Sequence, residues 1–205
     1  PSMIMKSALL SKRKVIAALV FAAMSQTPLS FGQDTDALKD ELAANIDGRA
    51  KLVQEMVDSI FSFAEPGFQE FETSAYITGI LAENGFEIEM GISGIPTAWT
   101  ATWSNGDGPT IALGSDIDAL LGLSQLPGSP EIQPMIPGAP GHGEGHNSGM
   151  PAMVAAALAV QDLMVEHDIP GKLMLWPGGA EELLATKAYF VRDGIFDDVD
   201  ANIFS

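Results

Sequence analysis

The sequence has no cysteine. Disulfides are therefore excluded, and so are a thiol nucleophile and thiolate metal ligands. Basic residues are scarce: Lys and Arg number 10 against 27 Asp and Glu, a formal net charge of −17. None falls between Lys51 and Lys172. The first 32 residues, by contrast, hold Lys6, Lys12, Arg13 and Lys14 and no acidic residue. All the acidic residues lie in the body of the chain, which repels nucleic acid and anionic membrane surfaces. No nucleic-acid partner is expected. A cation, or a substrate presented through a cation, is compatible with this charge. The acidity does not mean disorder, because 46% of the residues are apolar. That is enough for one domain with a real core.

Residues 1–32 read as a secretory signal. A basic stretch, "KSALLSKRK", precedes "VIAALVFAAM", an apolar run of ten that is short for a bilayer span. Ser30 and Gly32 are small residues at the −3 and −1 positions of a cut before Gln33. The alternative is an anchor retained in the mature protein. The cleaved reading makes 33–205 the folded part. It implies export to a bacterial periplasm or beyond, with no stable membrane association after cleavage.

Periodicity suggests alternating helices and strands. Asp36 can cap a helix from about Ala37 to Ala64, with Asp47-Gly48 as a break point. A second helix is expected over about Phe71–Asn84, closed by Gly85. "FEIEM" and "TAWTATW" alternate with period two, and "SNGDGP" reads as a hairpin turn. "TIALGSDID" (110–118) reads as a buried strand ending in two aspartates. A proline-rich loop leads to an alanine-rich, apolar helix over about Met150–Val165, with Pro151 in its first turn. "GKLMLW" (171–176) is a second buried strand, "AEELLATKAYFVRDG" a helix closed by Gly194, and "FDDVDANIF" the approach to another strand. Buried strands alternating with helices imply an α/β sandwich. Trp99, Trp103 and Trp176 fit its strands and read as core, and His167 as a structural residue near a helix C-terminus.

The stretch that carries chemistry is "GHGEGHNSG" (141–149). Four glycines before a helix could cradle a phosphate, as in a nucleotide binder, but such cradles usually use Lys or Arg. None is near, and Glu144 would face the phosphate. The metal reading does better. In an extended segment Glu144 and His146 point the same way and can share a cation, with Gly143 and Gly145 letting the backbone come close. Two more acidic pairs fall where an open α/β sheet builds its sites, beyond the C-terminal ends of strands. These are Asp116 with Asp118, and Glu181 with Glu182. Of two adjacent glutamates, one can face a metal while the other takes a proton from water, which would make a hydrolase site. Each has a plainer reading. The aspartates could cap loops, the glutamates could begin a helix, and His142 could orient neighbours without ligating.

Several segments together, in order, resemble a known family: "FAEPGFQEFETSAY", "GIPTA", "IALGSDIDALLGLSQ", "PGAPGHGEGHN" and "PGGAEELLATKAYFVRDGIFDDVDA". They are similar to the zinc-type amidohydrolases and metallopeptidases of the aminoacylase/acetylornithine deacetylase superfamily. The branch resembled contains the p-aminobenzoyl-glutamate hydrolase subunit. The resemblance implies a three-layer α/β/α catalytic domain, of which this chain would be the N-terminal part without the inserted lid. It implies hydrolysis of an amide between an acyl or aroyl group and an amino acid, with two divalent metal ions. By position, His146 and Glu182 match metal ligands and Glu181 the general base. Asp118 matches the aspartate that orients a ligand. Asp116 stands where the wider superfamily has a ligating histidine.

Two departures from that pattern matter. Glu144 replaces the branch's metal-bridging cysteine, which should move preference from zinc toward manganese or other oxygen-loving ions. It could also mean lost activity, so a non-catalytic relative that binds metal or acyl-amino acids is the competing expectation. The family also has two further histidine ligands beyond the position of Ser205. Residues 1–205 alone are therefore expected to be inactive. The full-length protein is expected to form a homodimer or hetero-oligomer and to act on a small acyl-amino acid.

Overall fold

The computed structural model describes residues 35–205. The expected signal segment and its cleavage site lie outside the described residues. By contact density the chain divides into residues 1–38 and 39–205. Of the first unit, only the opening residues of one helix are described.

That helix, α1 (Thr35–Asp47), is followed by α2 (Ala50–Phe63) and α3 (Phe71–Glu83). The single long helix expected over 37–64 is thus two. The break falls at Gly48-Arg49, one residue past the expected point. Five strands follow: β1 (Glu87–Met90), β2 (Trp99–Ser104), β3 (Thr110–Asp116), β4 (Lys172–Gly178) and β5 (Ala201–Phe204). Between β3 and β4 lies α4 (His146–Glu166), and between β4 and β5 lies α5 (Thr186–Arg192).

The sheet runs β1-β2-β4-β3-β5. β1, β2 and β4 pair antiparallel, whereas β4, β3 and β5 pair parallel. The expected hairpin at "SNGDGP" does not form, because β4 inserts between β2 and β3. The turn is tied instead to the approach to β4. Asn105 N–H donates to the Gly171 carbonyl at 2.9 Å, and its side-chain amide donates to the carbonyls of Met164 and Ile169.

Alternation along the strands supplies both faces with apolar side chains. Leu113, Leu173, Leu175, Trp99 and Ala101 pack with Met56 and Ile60 of α2, Ile77 and Leu81 of α3, and Met150, Val154 and Leu158 of α4. Ala112, Met174 and Trp176 face the other way, against Phe190 of α5 and Phe196. Helices thus cover both faces of the sheet, as a three-layer α/β/α arrangement requires. α4 is apolar because so much of it is core. Its start is four residues earlier than expected, so Pro151 sits a turn further in and removes the bond its N–H would make to Asn147.

Because β3 and β4 are parallel and in register from Thr110↔Lys172 to Asp116↔Gly178, their C-terminal ends emerge side by side. α4 also begins at this edge. Gly149, in its first turn, packs so closely on β3 that a Cβ there would run into Ser115 Oγ. Three chain segments, each starting from a fixed element, therefore meet at one end of the sheet.

Candidate metal centre

The loop after β3 carries Asp118, the turn before α4 carries Glu144 with His146 as the first helical residue, and the loop after β4 carries Glu181 and Glu182. Ligand-capable atoms of Glu144, His146, Glu181 and Glu182 all lie within 4.8 Å of one another. The expected extended segment is not how Glu144 and His146 converge. Gly145 takes φ 108° immediately before the helix, a conformation suited to glycine, and the chain turns there. The two side chains still meet, with His146 Nε2 3.4 Å from Glu144 Oε2.

Asp118 is almost fully buried behind this group. Its backbone carbonyl accepts from His146 Nδ1 at 3.0 Å, and its Oδ1 is 3.4 Å from the same nitrogen. Its Oδ2 accepts from the Glu182 backbone N–H at 3.0 Å. The Asp118 side chain, opposed by burial, is the main cause that pushes His146 up to about 9. With Nδ1 committed to Asp118, Nε2 is the nitrogen left to serve as a ligand.

The donor set fits a divalent cation. Three carboxylates crowd one imidazole, and Glu182 Oε1 is buried with no hydrogen-bond partner. Burial pushes the Glu182 carboxyl above its ordinary range, and the adjoining Glu144 and Glu181 carboxyls add to this. His146 lowers it but offsets only part of this, and such a cluster is costly without further positive charge. The nearby lysine does not supply it, because Lys187 Nζ is committed to Asp116 at 2.9 Å.

Two residues named from the sequence stand outside the group. Asp116 is held by Lys187 and does not converge with the others; burial pushes its carboxyl up, against the influence of that lysine. His142 lines the same small recess, but its Nε2 donates to the Ile60 carbonyl at 3.1 Å. Burial lowers its basicity, against the hydrogen bond to Ile60, which raises it.

The helix expected over "AEELLATKAYFVRDG" is broken at the site. Ala180 (φ 51°) and Leu184 (φ 58°) are both left-handed and flank a short 3₁₀ turn, Glu181–Leu183. α5 begins only after it. Two residues around the site, Glu70 and Lys187, do not stand out in the sequence. Lys187 carries no local signal, and Glu70 reads as an ordinary polar residue at a helix start.

No protein-family model matches the chain. Curated relatives do. The chain is 36% identical over 147 residues to a p-aminobenzoyl-glutamate hydrolase subunit of Escherichia coli, covering 72% of this chain and 30% of that protein. It is 32% identical over 180 residues to N-acetyl-L-cysteine deacetylase of Bacillus subtilis, covering 84% of this chain and 40% of that one. The chain thus spans less than half the length of these relatives. Among solved structures, an aminobenzoyl-glutamate utilization protein from Klebsiella pneumoniae superposes with a TM-score of 0.60 at 18% identity, over 80% of this chain and 45% of that one. A Bacillus subtilis dinuclear metal-binding peptidase of the M20 family superposes with a TM-score of 0.59 at 24% identity, over 75% and 42%. By sequence the chain is a homologue of the amidohydrolases typified by p-aminobenzoyl-glutamate hydrolase, and its fold is that of part of an M20-type catalytic domain.

Proposed function

We propose that this chain is part of a metal-dependent amidohydrolase that cleaves the amide between an acyl or aroyl group and an amino acid. The observation that carries the proposal is the convergence of Glu144, His146, Glu181 and Glu182 beside the buried Asp118. Glu144, His146 and Glu182 would hold metal. Two divalent ions bound here would supply Lewis acidity, polarising the amide carbonyl and acidifying water. Glu181, adjacent to a ligand, takes a proton from the attacking water at its carboxylate and passes it to the departing amine. Asp118 holds His146 by Nδ1 and holds the Glu182 backbone, so both donors keep their direction. With a carboxylate at 144, the set favours manganese over zinc.

The p-aminobenzoyl-glutamate and N-acyl-amino-acid classes fit this reading because the named relatives act on such compounds. Their carboxylate suits an acidic protein only through a cation, which a bound metal would provide. Export of the mature chain from Gln33 is proposed from the sequence pattern alone.

The test is metal content and turnover of p-aminobenzoyl-glutamate and N-acyl amino acids by the full-length protein. Metal with turnover supports the proposal. Metal with no turnover of any such amide would make the protein a binding relative, and absence of metal would sink both.

A further inference from the structure

The loop "EPGFQE" (65–70) joins α2 to α3 and contains no residue of the proposed metal centre. Its last residue, Glu70, is fully buried. Burying a carboxylate is expensive unless its oxygens are matched by donors. Both are matched here. Oε1 accepts from the Ala180 backbone N–H at 2.7 Å, and Oε2 accepts from the Thr97 hydroxyl at 2.8 Å. The fit leaves little room, since a Cβ at Gly179 would come within 3.3 Å of Glu70 Oε1.

Ala180 immediately precedes Glu181 and is left-handed at φ 51°. For a residue with a Cβ that conformation is strained and persists only where the surroundings impose it. The short bond from the Ala180 N–H to a fully buried side-chain oxygen is such an imposition. The rest of the loop is built to the same end. The Glu65 carbonyl accepts from the Ala119 N–H at 2.8 Å, beside Asp118. The Glu65 carboxylate caps α3 through the N–H groups of Glu72 and Thr73. Gly67 lies against Ala180, where a Cβ would come 2.9 Å from the Ala180 Cα. One loop therefore braces both strand-end segments, the one bearing Asp118 and the one bearing Glu181 and Glu182.

We infer that Glu70 is a positioning residue: its buried carboxylate fixes the left-handed Ala180 turn and so the direction in which Glu181 and Glu182 leave it. The inference rests on the metal-centre reading for its consequence, but not for its geometry. Its action is that of an acceptor, so a carboxamide can replace it. In Glu70→Gln the amide oxygen still takes the Ala180 N–H, and the Thr97 hydroxyl reverses to accept from the amide nitrogen.

Two readouts on the full chain test this. The first is amide hydrogen exchange at residues 180–184 in metal-free protein. The second is manganese and zinc affinity by titration. Glu70→Ala should speed exchange at Ala180 and its neighbours on the order of tenfold and weaken metal binding by a similar factor. Thr97→Val, which removes one of the two donors and keeps the shape, should do the same more weakly. Glu70→Gln should restore both readouts to within about threefold of the parent, as geometric replacement requires. If Glu70→Ala does not fold, Thr97→Val and Glu70→Gln decide the matter alone. Unchanged exchange in Glu70→Ala and Thr97→Val overturns the inference, as does a Glu70→Gln protein as damaged as the alanine variant. If the parent binds no metal while the exchange differences persist, the metal reading fails and the positioning role stands.

Discussion

The backbone N–H of Glu182 points at Asp118 Oδ2, 3.0 Å away, while the carbonyl of the same aspartate holds His146 Nδ1. Asp118 follows β3, Glu182 follows β4, and His146 opens α4, so one buried residue fixes three elements relative to each other. Asp118→Ala should therefore weaken metal binding by on the order of 10–100-fold, the usual penalty for losing a partner behind a ligand. Asp118→Asn keeps an acceptor for the Glu182 N–H and should be milder. Titration with manganese and zinc distinguishes the two. Equal affinity in Asp118→Ala and the parent would show that the Asp118 carboxylate is not needed to position these ligands.

Glu181 and Glu182 are adjacent but are assigned different work. Glu181→Gln in the full-length protein should retain metal and lose turnover on the order of a hundredfold or more. Glu182→Gln should lose metal. Metal analysis beside a hydrolysis assay reads both, and the opposite pattern would exchange the roles.

Glu144 stands where the family resemblance leads one to expect a cysteine. Its side chain is mostly exposed, yet it reaches to within 3.4 Å of His146. Glu144→Ala should weaken metal binding at least about tenfold if it is a ligand. Glu144→Cys should shift preference from manganese toward zinc. Metal affinity unmoved by either change would make Glu144 a bystander.

Away from the site, Arg49 Nη2 meets Asp162 Oδ2 at 2.7 Å and ties α2 to α4. Partial burial pushes the Asp162 carboxyl up, but hydrogen bonds from Arg49 and Asn45 outweigh it and hold it below the ordinary carboxylate value. The stabilisation is therefore complete above the unfolded carboxyl's titration and is lost as pH falls through the lowered folded value. Because Asp162 is half exposed, the pair should contribute no more than about 1 kcal/mol. Thermal melts of Asp162→Asn and the parent should differ slightly at neutral pH and converge in acid. A difference that grows toward low pH would contradict the assignment.

Much of this architecture is legible in the sequence because it rests on local signals. The two buried strands, the apolar helix from Met150 and the clustering of carboxylates after strands all follow from periodicity and spacing. The strand order does not. "SNGDGP" has the chemistry of a hairpin, and only the insertion of β4 between β2 and β3 prevents one. The pair Glu144 and His146 is legible as a pair, but the turn at Gly145 that unites it is not. Glu70 is invisible for the same reason, since its partners Thr97 and Ala180 lie 27 and 110 residues away in the chain. Left-handed Ala180 and Leu184 break a helix that their own residue types favour, and the cause lies in contacts that no local window contains.

The central claim is that Glu144, His146 and Glu182 bind divalent metal. It is tested most directly by counting the metal retained by full-length protein after dialysis, with and without these side chains. The parent should retain two divalent ions per chain. A variant carrying Glu144→Ala, His146→Ala and Glu182→Gln together should retain none while remaining folded. A parent that retains no metal, or a folded triple variant that retains as much as the parent, would contradict it.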